Sequence, residues 1–324
     1  MKINLAKAVK ICRTKKTTLQ VLYRFAVRSG VLHLTDLDQT LLGACEAPDG
    51  LYVTDTFVKS GNLDLAREKG VDLAEFPEVP KIEKAAPIDA SIFLDMAGFA
   101  DFVSEGFSTR LVLTGVCLQK DTLVATDGHV LMAQTFPGVR FSGEAIIPTR
   151  CWRTVEKLKR ISSLQGVDLG KTEILFHFRD FDYIAKLIEG PFPDFQRIFP
   201  KEHKKTTKLN RTEKDALAAA LEKVERLTGD TGQVFMQGDF VFVWNRSTGI
   251  KAKARLGGAY WPDRTGFNCH YLVQCLRQHS AWVTLNASGA GSPTVFAGEG
   301  GRVTLVMPLR LDADDVDDNE YTEV

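Results

Sequence analysis

Two short sequence patterns recur along this chain at long intervals. Val31-Leu-His-Leu-Thr-Asp36 is echoed by Thr122-Leu-Val-Ala-Thr-Asp127, and Glu75-Phe-Pro-Glu78 is echoed by Pro191-Phe-Pro-Asp194. Solenoid repeats are typically about 20–50 residues long, so the longer period here indicates duplicated domains. In a third copy, Asp239-Phe-Val-Phe-Val-Trp244 takes the place of the strand. The chain is therefore predicted to contain three similar domains.

The spacing of the patterns predicts a shortened first domain. We divide the chain into three domains and an acidic tail, at 1–84, 85–200, 201–311 and 312–324. Thr35 and Phe76 lie 41 positions apart, whereas Thr126 and Phe192 lie 66 apart. The first domain has therefore lost 25 residues from its back half. It has no room for a β-hairpin such as Lys171–Lys186, which the alternating pattern predicts in the second domain.

Apolar periodicity predicts that each domain opens with an amphipathic helix. The apolar positions of these three helices are Leu5, Val9 and Cys12; Ile92, Met96, Phe99 and Val103; and Leu217, Leu221 and Val224. Thr212 with Asp215 suggests a weak capping box for the third. Second helices are predicted at Thr149–Ile161 and after Asn268, which is a typical N-cap residue. Helices between runs of strands indicate an α+β fold.

Composition narrows the possible functions. Lys and Arg together number 41, as do Asp and Glu, so any attraction to nucleic acid must come from the arrangement of charges. The six cysteines form no C-x-x-C pair and share no metal-ligand spacing with the six histidines. We therefore expect reduced cysteines, no metal and no cofactor. No apolar run approaches the ~18 residues of a membrane span, and we expect a cytoplasmic protein with no membrane partner.

Three segments carry a resemblance to a known family. Leu123–Ala133 contains Thr-Asp-Gly-His, Pro191–Pro200 contains Phe-Pro-Asp, and Leu305–Leu311 contains Met-Pro-Leu-Arg-Leu. In this order they resemble the bacterial DNA polymerase III beta subunit, the replication sliding clamp. The resemblance implies three repeated DNA-clamp domains, with sheets outside and paired helices inside, that form a ring, most simply a dimer. It further implies duplex DNA inside the ring, and polymerase and clamp loader bound through short peptide motifs.

Basic residues cluster at positions that would face DNA in such a ring. They are Lys7, Lys10, Arg13, Lys15, Lys16, Arg110, Arg150, Arg153, Lys157 and Arg160. On the helix near Trp152 they form one face opposite an apolar stripe, and such a face suits phosphate contacts. The alternative is a solvated helix face. The family's paired tyrosines after Arg110 are Leu111 and Val112 here.

The resemblance also implies a peptide pocket between the second and third domains. The matching positions are Leu113, Thr126, Gly128, His129, Leu131, Pro193, Arg197, Ile198, Leu305, Val306, Met307, Pro308, Leu309 and Arg310. Apolar and methionine side chains suit varied peptides, and the two arginines suit peptide carbonyls or acids. Taken alone, Asp127-Gly128 is more often simply a turn. A basic residue usual after the family's histidine is Val130 here.

The predicted subunit seam has an unusual charge. Lys251, Lys253 and Arg255 alternate on a strand whose counterpart in the family is acidic, while the back half of the first domain is acidic here. We hypothesise that the subunit seam persists with its acidic and basic sides exchanged. The alternative is a solvent-exposed strand edge that lysines protect from aggregation. The tail at 312–324 has seven carboxylates and is expected to be disordered when free. It would either solubilise the protein or screen Arg197 and Arg310.

These features predict a non-catalytic processivity factor. An enzyme is not indicated, because no nucleophile, base and orienting group are suggested together. The alternative function is a clamp-like decoy or regulator that keeps the peptide pocket but does not form a closed ring. The shortened first domain makes this alternative plausible.

Overall fold

Short strands joined by tight turns make up most of the fold. The computed structural model describes residues 3–13, 18–83, 85–93, 97–104, 110–139, 141, 143–245, 247–310 and 321–323. Alternation of apolar residues produces strands with one buried face, as in Glu173–Phe178, where every second side chain is buried. The strands are β1 (Arg24–Arg28), β2 (Val31–Thr35), β3 (Gln39–Ala44), β4 (Gly50–Val53), β5 (Ala86–Ile88), β6 (Gly115–Gln119), β7 (Thr122–Thr126), β8 (Val130–Thr135), β9 (Glu144–Pro148), β10 (Leu164–Leu169), β11 (Glu173–Phe178), β12 (Asp182–Lys186), β13 (Lys205–Leu209), β14 (Gln233–Gly238), β15 (Phe240–Asn245), β16 (Ile250–Arg255), β17 (Trp261–Asn268), β18 (Val283–Ala287), β19 (Thr294–Gly298), β20 (Arg302–Val306) and β21 (Thr322–Glu323).

Local sequence sets the ends of the helices. Within the described residues these are α1 (Ile3–Cys12), α2 (Thr54–Ser60), α3 (Leu63–Ala66), α4 (Thr149–Lys159), α5 (Arg211–Glu225) and α6 (Cys269–Arg277). Asn268 caps α6 as predicted. The predicted capping pair of Thr212 and Asp215 is wrong, because α5 begins at Arg211 and Asn210 is therefore its N-cap. Asn210 forms the capping box with Glu213 instead.

The predicted opening helix of the second domain is not one continuous α-helix. Its described parts are two short 3₁₀ helices, Ala90–Phe93 and Ala97–Asp101, and Met96 lies outside the described residues. Gly98 disfavours a longer α-helix, since glycine costs about 1 kcal/mol relative to alanine in a helix interior. Phe99 is buried, as the apolar pattern predicts. The opening helices of the first and third domains are confirmed as α1 and α5.

The chain folds into two compact units. Unit 1 comprises residues 1–100, 109–118 and 141–191, and unit 2 comprises residues 101–108, 119–140 and 192–324. Both units contain parts of the predicted second domain. The strands nevertheless fall into three repeated groups, β1–β4, β5–β12 and β13–β20, here called the first, second and third repeats. The exact domain boundaries remain a prediction.

Unit 1 contains an eight-stranded antiparallel sheet with the order β4-β1-β2-β3-β12-β11-β10-β5. Thr40 on β3 lies opposite Ile184 on β12, so β3 joins the first repeat to the second. Helix α1 packs on β3 at very short range. A Cβ on Gly43 would lie 2.5 Å from Leu5 Cδ1, and Leu5 is fully buried. A side chain at position 43 would therefore force the Leu5 side chain to move.

The turn between β2 and β3 is held by side chains of the repeated Thr-Asp pattern. Thr35 Oγ1 donates a hydrogen bond to the carbonyl oxygen of Gln39 at 3.0 Å. Asp36 Oδ1 accepts from the amides of Asp38 and Gln39 at 3.1 and 2.8 Å. Leu37, which lies between Asp36 and Asp38, has a φ of +78°, a conformation that leucine rarely adopts. The same turn recurs in unit 2.

No strand of the described residues lies between β4 and β5, so the missing hairpin of the first domain is confirmed. Helices α2 and α3 occupy this interval instead. The segment after α3 covers the outer edge of β4, where Arg67 bridges Tyr52 and the Glu68 amide donates to the Leu51 carbonyl at 2.9 Å. Phe76 is buried against Leu51. The first repeat thus keeps its front four strands without a back half.

Unit 2 contains two sheets. In one, six of its strands have the order β13-β18-β19-β20-β8-β7, and β20 joins the third repeat to β8 of the second. The other has the order β17-β14-β15-β16-β21. Helices α5 and α6 pack on each other, with Leu217 and Leu221 facing Leu272 and Leu276 in a fully buried core. Both helices confirm the predicted third-domain pair.

Candidate functional site

The β7–β8 turn carries the Thr-Asp-Gly-His residues of the predicted pocket. Thr126 Oγ1 donates to the Val130 carbonyl at 2.7 Å, and Asp127 Oδ1 accepts from the amides of His129 and Val130 at 2.7 and 2.9 Å. Gly128 has a φ of +96°, which glycine adopts without strain. Thr126 is buried and shapes the turn, while 68% of the His129 side chain is exposed.

Strand pairing brings the turn beside the Met-Pro segment. Leu131 on β8 lies opposite Leu305 on β20, and the Met307 amide donates to the His129 carbonyl at 2.8 Å. Leu131 and Leu305 are fully buried, as is Val306. These three side chains are therefore closed to a ligand in this structure. The side chains left partly or fully open for a ligand are those of His129, Met307, Pro308, Leu309 and Arg310.

Tyr271 on α6 completes this part of the site, and sequence reasoning missed it. Its hydroxyl donates to Asp127 Oδ2 at 2.7 Å, and its ring stacks on His129 with centroids 6.3 Å apart. Burial, and after it the neighbouring Asp127 carboxylate, raise the pKa of Tyr271 to about 12. No pattern within the helix distinguishes Tyr271 from an ordinary half-buried tyrosine, so only its spatial partners reveal the role.

The remaining predicted pocket residues are less closely connected. Pro193 and Arg197 are exposed and Ile198 is half-buried; all three belong to unit 2. Arg197 Nε donates to Asp194 Oδ2 at 2.8 Å, and its side chain is 85% exposed. Leu113 belongs to unit 1, where it is buried. The membership of all these residues in one pocket remains a proposal.

The predicted basic face is present on α4. Arg150, Arg153, Lys157 and Arg160 are exposed, while Cys151, Val155 and Leu158 on the opposite stripe are buried. Helix α1 packs beside α4 within unit 1 and exposes Lys7 and Lys10. Arg110 is also exposed, and Lys15 and Lys16 lie outside the described residues. Unit 1 therefore presents two neighbouring helices with basic surfaces.

Two of these cations already have acidic partners. Arg13 Nη1 lies 2.6 Å from Asp55 Oδ1 on α2, and Arg150 forms an ion pair with Asp36 in the β2–β3 turn. In each pair one side chain is more than half exposed, so solvent screens the attraction and limits its contribution to stability. The attraction of this surface for phosphate groups is therefore weaker than the number of its cations implies.

Comparison with known proteins finds similarity to one kind of protein. Residues 100–194 match the model for the DNA polymerase III beta subunit, central domain. The chain is 25% identical over 308 residues to the beta sliding clamp of Synechocystis sp., covering 82% of this chain and 76% of that protein. It resembles the solved beta chain from Streptococcus pneumoniae TIGR4 with a TM-score of 0.78 at 17% identity, covering 95% and 97% of the two chains. The chain is similar to beta sliding clamps and shares their fold.

A second solved structure of a relative has a ligand. It is a DnaN sliding clamp from Pseudomonas aeruginosa bound to griselimycin, with a TM-score of 0.74 and 19% identity, covering 95% of this chain and 97% of that one. At such identities the structures establish the sliding-clamp fold alone. The present chain differs from these relatives in sequence, and two of its features, the shortened first repeat and the tail, need explanation.

The predicted seam residues lie against the chain's own C-terminal segment. Lys251, Lys253 and Arg255 are on β16, whose outer edge pairs with β21. Arg255 Nε lies 3.2 Å from Glu323 Oε1. The described end of the tail thus lies along β16, whereas its residues 312–320, and with them the predicted screening of Arg197 and Arg310, lie outside the described residues.

No metal site or disulfide is found in the part of the chain that the structure describes. No group of three potential ligands there is arranged to hold a metal ion. The six cysteines are free thiols, and burial raises the pKa of five of them well above the ordinary thiol range: Cys12, Cys117, Cys151, Cys269 and Cys275. No helix among the described residues is long and apolar enough to cross a bilayer.

Proposed function

We propose that this protein is a sliding clamp, a non-catalytic processivity factor that encircles duplex DNA in the cytoplasm and tethers a DNA polymerase. The observation that carries this proposal is a clamp fold matched along 95% of the chain, together with a family match in the central part. The clamp loader would bind through the same peptide pocket as the polymerase. A ring of two chains is the simplest assembly.

The basic helices support the DNA part of this proposal. Phosphate contacts are independent of sequence, which suits a protein that moves along its track. Weak contacts suffice, because enclosure rather than affinity keeps a ring on DNA. The net charge of zero and the ion-paired arginines agree with a surface that holds DNA loosely.

Salt dependence of binding to a short linear duplex tests the basic face. Each lost phosphate contact lowers the slope of log affinity against log salt by about 1. We expect Lys157→Gln and Arg160→Gln each to reduce this slope, measured by fluorescence anisotropy at low salt. Lys171→Gln, an exposed lysine in the β10–β11 turn, is the matched control and leaves the slope unchanged. Equal slopes for all three variants and the wild type would remove α4 from the DNA surface.

The pocket part of the proposal is testable with griselimycin as the probe. Met307 and Arg310 lie at the open side of the Met-Pro segment, and a few anchor residues dominate such sites. We expect Met307→Ala to weaken griselimycin binding at least tenfold in titration calorimetry. Leu65→Ala, which truncates a 67% exposed leucine in unit 1, is the control. Binding that is unaffected by Met307→Ala and by Arg310→Ala would place the ligand elsewhere.

One observation keeps the alternative function in view. The first repeat has no back half in the described residues, and the outer edge of β16 is taken by β21. A decoy or regulator would keep the pocket without closing a ring. The two functions differ in whether the protein is trapped on circular DNA, since an open form dissociates at high salt and a closed ring does not.

A further inference from the structure

Strand β16 occupies a special place in the three repeats. It ends the group β17-β14-β15-β16, just as β3 ends the group β4-β1-β2-β3. The outer edge of β3 pairs antiparallel with β12, and β8 pairs antiparallel with β20, so in both cases a back-half strand of the next repeat covers the edge. The outer edge of β16 pairs in parallel with the two-residue strand β21.

Among the described residues, the first repeat of a second copy has no comparable back-half strand to place beside β16. The back half that would supply it belongs to the first repeat, and the described residues between β4 and β5 contain no strand. An uncovered edge is a ready template for pairing with other chains, so proteins usually cover or charge it. Here the cover is the segment Tyr321–Glu323 of the same chain.

Tyr321 enters an aromatic socket beside this edge. It is only 7% exposed and packs in a cluster with Phe235 and Phe242. Its ring meets Phe242 edge to face, with centroids 5.3 Å apart, and Lys251 Nζ lies 5.9 Å from the Tyr321 ring centroid. Such contacts add to the burial of a large aromatic side chain. The socket therefore selects an aromatic residue at this position.

A carboxylate is recognised two residues further along. Side chains two apart on a strand share a face, so Tyr321 and Glu323 point the same way. Glu323 pairs in register with Lys253 and its Oε1 lies 3.2 Å from Arg255 Nε. The three cations that the sequence places on one face of β16 thus match an aromatic residue followed by an acid. Backbone pairing supplies affinity and the two side chains supply selectivity, as in other strand-addition sites.

We propose that the outer edge of β16, with the Phe235–Phe242 socket and the Arg255 guanidinium, is a binding site for an extended aromatic–acidic peptide. The chain's own Tyr321–Glu323 segment occupies this site in cis. The edge is then closed to pairing with another chain until the segment leaves. This site is separate from the Met-Pro pocket and does not rest on DNA binding.

Peptide binding in trans tests the site. The probe is a fluorescein-labelled peptide of residues 317–324, and the target is the chain truncated after residue 320. We expect saturable binding to the truncated chain, and binding at least tenfold weaker to the full chain, whose own segment competes. The Tyr321→Ala peptide is expected to bind the truncated chain at least tenfold more weakly. No binding to the truncated chain, or equal binding to both chains, overturns the proposal.

Charge exchange supplies the control. Arg255→Glu in the truncated chain is expected to weaken the wild-type peptide at least tenfold, and the Glu323→Arg peptide to recover part of the loss. Lys171→Glu changes a distant exposed charge and leaves binding unchanged. If the truncated chain dimerises through the free edge, excess peptide should convert the dimer to monomer, as measured by sedimentation. A dimer that persists in excess peptide contradicts the proposal.

Hydrogen exchange in the full chain provides a test that does not need truncation. Tyr321→Ala is expected to speed at least tenfold the exchange of those β16 amides that face the segment and not β15, because the segment no longer stays on the edge. Unchanged protection overturns the proposal even if the truncated chain fails to fold. Neither assay contains DNA, so these outcomes are independent of the clamp function.

Discussion

The hydroxyl of Tyr271 on α6 donates a 2.7 Å hydrogen bond to Asp127 in the β7–β8 turn. Through this bond a helix of the third repeat holds a turn of the second repeat in place. The turn carries Gly128 and His129, which belong to the proposed peptide pocket, and His129 stacks on the Tyr271 ring. The shape of the pocket therefore depends on a helix residue that itself need not touch the ligand.

Tyr271→Phe is expected to lower the free energy of unfolding by about 1–2 kcal/mol, because it removes a hydrogen bond to a charged group. Urea unfolding measures the change. The same substitution in an Asp127→Asn background should cost clearly less, since the two residues share the bond. Equal costs in both backgrounds would show that the bond contributes nothing.

The raised pKa of Tyr271 gives a second expectation for this residue. Its folded-state pKa of about 12 exceeds the ordinary value of 10.0, so the protonated form is favoured in the native state. The resulting stability is fully present below pH 10 and is lost as the pH rises through 12. The folded-state pKa is measured by titrating the phenolate absorbance of the wild type and of Tyr271→Phe and subtracting the second curve from the first. A difference curve centred at 10 would contradict the assigned cause.

Leu37→Gly is expected to stabilise the protein by about 1 kcal/mol, since leucine at positive φ is strained by about 1–2 kcal/mol and glycine is not. Leu37 is 41% exposed and has a φ of +78°, in the place that Gly128 holds in the second repeat. The midpoint of urea unfolding reports the gain. Gly128→Ala, the reverse change at the matched turn, should destabilise. A loss of stability in Leu37→Gly would mean that its side-chain packing outweighs the strain.

His33 makes the stability of unit 1 sensitive to acid. It is 2% exposed, both ring nitrogens lack a hydrogen-bond partner among the described residues, and burial, then nearby Arg28, lower its pKa to about 4. The neutral form is therefore favoured in the native state. Its contribution to stability is present above pH 6.5 and is lost as the pH falls from 6.5 towards 4.

We expect His33→Leu to reduce the decrease in the free energy of unfolding between pH 6.5 and 4, as measured by urea unfolding. At pH 7 the variant should be at least as stable as the wild type, because it removes an unsatisfied buried group. His279, whose pKa is also lowered to about 4 by burial, retains part of the dependence. His203→Gln, at an exposed position, should leave the profile unchanged. A parallel shift of the whole curve by His33→Leu would disprove the titration.

The close contact of α1 with β3 predicts a strong coupling. Gly43→Ala should cost about 1–3 kcal/mol by overpacking against Leu5, and Leu5→Ala should cost about 2–5 kcal/mol by leaving a cavity. The double variant should cost less than the sum, because the new methyl group partly fills that cavity. Calorimetric or urea unfolding of the four proteins measures the coupling. Additive costs would mean that α1 does not sit on β3 as described.

Much of the fold was predictable because its patterns are local. Alternation of apolar residues located β11 and its hairpin with β12, and the Asp-Gly dipeptide located the β7–β8 turn. The interval between Thr35 and Phe76 revealed the missing hairpin, since a repeat can be measured against its own copy. The prediction of an opening helix in the second domain was wrong, because Gly98 interrupts an apolar periodicity that otherwise favours a helix.

The site was less predictable because it depends on contacts between distant positions. Tyr271 and Asp127 lie 144 positions apart, and nothing in the sequence near either indicates the other. The same holds for Arg255 and Glu323, which are 68 positions apart. The sequence showed three cations on one face of β16 but not their partner, and the tail was expected elsewhere. Burial of Leu131 and Leu305 likewise became evident only from the strand pairing.

Retention on circular DNA tests the central claim, enclosure of duplex DNA, most directly. The protein is assembled on nicked circular DNA with a clamp loader, washed at high salt and separated by gel filtration, before and after the circle is cut once. We predict that it remains with the intact circle at high salt and is released when the DNA is linearised. Loss from circular and linear DNA alike would contradict enclosure, and would favour a clamp-like protein that binds partners without encircling a duplex.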